Sequence, residues 1–178
     1  MKNLLMFLLV VLLLGCNKDD HRNATLPEAT QTGRGIFACY VDGKPFIDNS
    51  GTPNGISFNC FYQLIDGQYY FGIQAEDSIS DLVSIGIFSN QAAVEEGFTY
   101  PLLSNDFGNF LGSSDFSPSF NVIEPSLTNN EFTGELYITK FDIQNQIVSG
   151  TFWFDIQNPF TDERIEIREG RFDTHFGL

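Results

Sequence analysis

Cations are scarce in this sequence. Nine Lys and Arg stand against 23 Asp and Glu in 178 residues, a formal charge of -14. Neutralising phosphates takes clustered positive charge, so a nucleic-acid partner is excluded. Two His and three Cys leave little for a metal cluster or a nucleophile–base pair, and neither a metal nor a cofactor is expected. Beyond the first 15 residues no apolar run approaches the ~20 residues that span a bilayer. Helical periodicity is almost absent. Phe (19) and Gly (16), by contrast, are plentiful. With 42% apolar residues the chain can fill one core of ordinary size.

The N-terminus carries an address. Lys2 precedes an 11-residue apolar run, Leu4 to Leu14, the length of a signal-peptide h-region. The run ends in Leu13-Leu14-Gly15-Cys16, which resembles the lipobox of bacterial lipoproteins. The resemblance implies cleavage before Cys16 and lipidation of that residue. Asn17-Lys18-Asp19-Asp20 then resembles the Lys-Asp-Asp export signal of surface lipoproteins of Bacteroidota. It departs at Asn17, often Gln in such signals, and at His21, often an acid. The expected location is the outer membrane, lipid-anchored and facing outward, with the periplasmic face as the alternative. Residues 1–15 are read as a signal peptide, 16–32 as a lipidated flexible tether, and 33–178 as a single β-domain. Stable anchoring takes more than one acyl chain.

From Gly33 the pattern has period two. Ile36 to Val41 and Lys44 to Ile47 flank Asp42-Gly43, and Ile56 to Ile65 and Gln68 to Ala75 flank Asp66-Gly67; both dipeptides are hairpin turn signals. Asp81 to Ser89 and Phe98 to Leu103 read as strands, with one helical turn between them at Gln91 to Glu96. Residues 104–119, rich in Ser, Asn, Asp, Gly and Phe, read as a long loop. Phe120 to Ile123 reads as a short edge strand stopped by Pro125. Glu131 to Asp142 and Ile147 to Gln157 form a hairpin turned at Gln144-Asn145. Ile165 to Phe176 adds one or two strands, depending on whether Glu169-Gly170 is a turn or a bulge. Nine or ten short strands with almost no helix predict an all-β antiparallel sandwich or partly open barrel.

The stretches Gly134 to Asp142, Ile147 to Phe154, Gly170-Arg171-Phe172-Asp173 and Gly35 to Phe46 together resemble uncharacterised lipoproteins of Bacteroidota. That resemblance implies an all-β secreted domain and assigns no activity.

Within the domain several constellations bear on chemistry. Cys39 and Cys60 lie on apolar faces of strands read as neighbours and are a candidate disulfide pair. Such a bond would close a loop of about 20 residues, worth roughly 3 kcal/mol in the chain-entropy model; two buried free thiols are the alternative. Asp77-Ser78-Ile79 resembles the O-glycosylation sequon of exported Bacteroidota proteins and implies Ser78 as a modification site, at a turn between strands. The loops 48–54 and 105–109 are rich in oxygen ligands but lack calcium-loop spacing and read as solvated turns. Glu124, Glu131 and Glu135 are carboxylates of the type a glycosidase pairs. His175, near the chain's end, reads as an exposed strand residue.

Trp153 falls on the face with Ile147, Ser149, Thr151 and Asp155, opposite Val148, Phe152, Phe154 and Ile156. With Tyr137 from the next strand it forms a candidate ligand platform, of the kind by which glycan-binding modules grip sugar faces. The alternative is that a second layer or the 104–120 segment covers it. The leading expectation is therefore a non-catalytic binding or structural accessory domain. A glycan or small-molecule binder is second, and a carboxylate-dependent hydrolase of extracellular polymers third. The membrane is the expected partner through the lipid on Cys16, with a glycan or protein partner unspecified.

Overall fold

The computed structural model describes residues 25–48 and 59–178. The signal peptide, Cys16, the Lys18–Asp20 motif, most of the 48–54 loop and the start of the strand expected from Ile56 lie outside the described residues. Among the described residues eleven strands are formed: β1 (Ile36–Val41), β2 (Lys44–Ile47), β3 (Asn59–Ile65), β4 (Gln68–Ile79), β5 (Leu82–Ser89), β6 (Thr99–Leu102), β7 (Phe110–Ser119), β8 (Val122–Leu127), β9 (Gly134–Asp142), β10 (Ile147–Gln157) and β11 (Arg164–His175). They make one sheet in the order β2-β1-β11-β10-β9-β6-β7-β5-β4-β3, with β8 also paired to β7. The β6–β7 contact is parallel and the other pairings are antiparallel.

The turns follow from their residues. Asp42 and Gly43 have φ of 48° and 74°, and Asp66 and Gly67 have 51° and 79°. Positive φ at both central positions is the type I′ hairpin geometry, whose twist matches the strands it joins. Alternation then directs the side chains. Along β10, Val148, Phe152, Phe154 and Ile156 point into the core. Phe and Gly work as a pair. Phe152 sits directly opposite Gly170, and Gly150 opposite Phe172. A Cβ on Gly170 would lie 2.4 Å from the Phe152 ring. The glycines leave space that the opposing rings fill, which lets a curled sheet seal its interior without a second layer.

The sheet curls until its two ends meet. Beyond β11, the Gly177 N–H donates to the Cys60 carbonyl at 2.9 Å, and the Tyr62 N–H donates to the Gly177 carbonyl at 2.8 Å. The Ile47 N–H donates to Asp77 Oδ2 at 3.0 Å, which ties β2 to β4. The result is an open barrel. Phe37, Phe46, Phe71, Phe116, Phe154 and Phe172 are among its fully buried side chains.

Three expectations are corrected, and one open alternative is decided. Residues 104–119 are not one long loop, because β7 runs through the middle of the sheet. Its Phe110, Gly112, Ser114 and Phe116 alternate inward, and Gly112 has to be small because the Phe154 ring lies over it. Pro125 does not stop β8 but sits within it opposite Asp115, as an edge strand allows. Gln91 to Glu96 makes no helical turn. Glu169-Gly170 is a bulge rather than a turn: Phe152 pairs with Gly170 and Phe154 with Ile167, so Arg168 and Glu169 together face Trp153. Glu169 takes the positive φ, 51°.

Candidate functional site

The outer face of β9, β10 and β11 carries the expected platform, and it is uncovered. Trp153 is 37% exposed and Tyr137 42%, whereas Phe152, one residue from Trp153, is 4% exposed. Tyr137 pairs with Thr151, and Trp153 with Glu135. The two aromatics are therefore diagonal neighbours on one face, a spacing of roughly 7–8 Å that is somewhat less between Cβ atoms. The indole Nε1–H donates to Glu135 Oε2 at 3.0 Å. The bulge carries Arg168 over the other strand edge, its guanidinium carbon 5.4 Å from the Trp153 ring centroid. Arg168 is itself held by an ion pair to Asp155 at 2.6 Å and by the Phe154 carbonyl at 3.1 Å. Trp153 is thus fixed at its nitrogen and braced on one side.

The platform floors a groove of about 520 Å³. Thr99, Glu135 and Thr151 line one part, and Glu169, Arg171 and Ala29 another. Ala29 belongs to the segment expected to be free tether. That segment is docked from Pro27 onward: Arg171 Nη1 donates to the Pro27 carbonyl at 3.2 Å. The buried Asp173 carboxylate then gathers it. Thr30 Oγ1 (2.5 Å) and the N–H groups of Thr32 (3.0 Å) and Arg34 (3.2 Å) donate to Oδ2. The Gly33 N–H (2.7 Å) and Ser149 Oγ (2.8 Å) donate to Oδ1. Burial alone would push this carboxyl up, but the bonds from Thr30, Thr32, Gly33 and Ser149 outweigh it and hold Asp173 below the usual carboxylate range. The last residues read as tether are therefore a strap, and the strap is one wall of the groove.

The other candidates are dispersed. Cys39 and Cys60 are free thiols. Their strands are not neighbours, since β1 lies between β2 and β11 while β3 pairs with β4. Burial pushes both thiols well up. Ser78 is exposed, as a modification site must be, but it lies in the last residues of β4 at a register shift rather than in a turn. His175 is exposed, with Nδ1 3.2 Å from the Asn145 carbonyl oxygen and its ring against Gly33. Of the three carboxylates singled out, Glu135 lies in the groove, Glu124 is on edge strand β8 and Glu131 is in the turn before β9. Among the described residues no group of three or more His, Cys, Asp or Glu is placed to hold a metal ion, and no helix is long and apolar enough to cross a membrane. Glu169, Arg171 and Asp173 had no sequence signal as site residues; only the bulge and the docked strap bring them to the groove.

No family model, curated protein or solved structure matches this chain.

Proposed function

We propose that the chain is a lipoprotein held in the outer membrane by acyl chains on Cys16, displayed on the outer face, and that its domain binds a ligand without catalysing a reaction. The observation that carries the binding part is the exposed Trp153–Tyr137 pair, standing in an open groove on the outer face of the sheet. Hydrolysis by paired carboxylates is disfavoured because Glu135 and Glu169 are both exposed, whereas an enclosed site keeps bulk water from its reacting groups. The anchor rests on the lipobox-like Leu13 to Cys16 and on Lys18-Asp19-Asp20. Because the strap is docked from Pro27, ten residues separate Cys16 from it, a reach of at most about 40 Å.

The test is protease and antibody access on intact cells. The wild type should be accessible and membrane-associated. Replacing Lys18, Asp19 and Asp20 with Ala should hide it without loss of folding. Unchanged accessibility of that triple variant would remove the export role from the motif, and a wild type shielded until the outer membrane is permeabilised would remove surface display.

A further inference from the structure

We propose that the groove between the strap and strands β9–β11 is a subsite for a neutral, hydroxyl-rich sugar ring of an extracellular glycan, with Trp153 as its stacking surface. The proposal rests on the reading that this face binds, and names what it takes.

The lining sorts by chemistry. Trp153 offers an aromatic face of negative quadrupole, to which the C–H face of a pyranose ring is complementary. Its rotation is blocked by the Nε1–H bond to Glu135 and by Arg168 beside the ring, so little ordering entropy remains to be lost on binding. Around it, Thr99, Thr151 and Tyr137 supply hydroxyls, and Glu135 has a second oxygen for a charge-assisted bond from a ligand hydroxyl. The volume, about 520 Å³, is that of a small-ligand site.

Charge selects within this class. Arg171, the cation lining the groove, is already committed. Its Nε and Nη2 donate to the Glu169 carbonyl at 3.2 and 3.1 Å, its Nη1 donates to the Pro27 carbonyl, and its guanidinium pairs with the Glu169 carboxylate at 3.6 Å. Arg168 is held by Asp155 and Glu166. Among the described residues Glu135 is left as the groove charge with no ion pair, its Oε2 accepting only from the Trp153 indole. An anionic polymer would meet this carboxylate and a body of formal charge -14, whereas a neutral glycan meets acceptors that suit its hydroxyls.

Trp153 is the single tryptophan, so its emission reports this groove alone. The experiment titrates the folded protein with neutral polymers (a β-glucan, an α-mannan, a xylan and starch) and with anionic alginate and heparin. Emission and isothermal calorimetry provide the readouts. At least one neutral polymer should change the emission and bind. Trp153→Ala should weaken binding about tenfold or more by calorimetry, and Glu135→Gln should weaken it less, with circular dichroism showing both variants folded. Binding of the anionic polymers alone overturns the proposal, as does an absence of binding to every neutral polymer, or binding that Trp153→Ala leaves unchanged. Release of new reducing ends would instead overturn the non-catalytic reading and leave the subsite standing. Failure of Cys16 acylation would strike the anchor without touching this result.

Discussion

Replacing Asp173 with Asn tests how the N-terminal strap is held. The carboxylate accepts from Thr30, Thr32 and Arg34 on one oxygen and from Gly33 and Ser149 on the other. An amide keeps one acceptor oxygen and turns an NH2 toward the remaining donors. Two or three bonds to a charged acceptor are lost, each worth about 1.5–3 kcal/mol when made. They share one site and do not add, and strap donors that detach find water while buried Ser149 does not. The expected loss is about 2–4 kcal/mol at pH 7, a large share of a single domain's stability. The folded-state pKa of Asp173 lies below its unfolded value, near ~3.9. Its contribution is therefore fully present above that pH and is lost as pH falls through the lower, folded pKa. Urea unfolding of wild type and Asp173→Asn at pH 7 and at about pH 3 should show a gap that narrows in acid, and hydrogen exchange should show the Thr32, Gly33 and Arg34 amides unprotected in the variant. A gap under about 0.5 kcal/mol at pH 7, or one of equal size at both pH values, would refute the clasp.

Two further outcomes follow from the packing. Phe152→Ala should cost about 3–5 kcal/mol, because its ring is buried over Gly170 and against Phe37 at 5.2 Å between centroids. Trp153→Ala, on the exposed face, should cost clearly less in urea unfolding followed by circular dichroism, and the reverse order would invert the two faces. Cys39 and Cys60 should both react with a thiol reagent only after unfolding, and a reductant should leave the melting temperature unchanged. An intact mass two hydrogens light would contradict the free thiols.

Hairpins were the most legible feature of the sequence. Asp42-Gly43 and Asp66-Gly67 take the positive φ that their residues prefer, and the alternation through Val148, Phe152, Phe154 and Ile156 correctly put Trp153 outside. What escaped reading was β7, since Gly112 looks like a turn residue until the Phe154 ring, 42 positions later, explains why it is small. Glycine next to a long-range aromatic partner carries no local signature. Trp153 and Tyr137 of the groove were legible because period two puts them on one face, whereas Glu135 stood out only as one carboxylate among many. Arg171, Glu169 and the strap were not, because a bulge and a set of side-chain bonds spanning about 140 residues bring them there. The cysteines failed as a pair because adjacency in a sheet is set by topology, and β1 pairs with β11 from the far end of the chain.

Mass spectrometry of the N-terminal peptide of the mature protein, purified from membranes, bears most directly on the proposal that this is an anchored surface domain. The peptide should begin at Cys16 and carry at least two acyl chains. A peptide that begins elsewhere, or an unmodified Cys16 in membrane-derived protein, would contradict it.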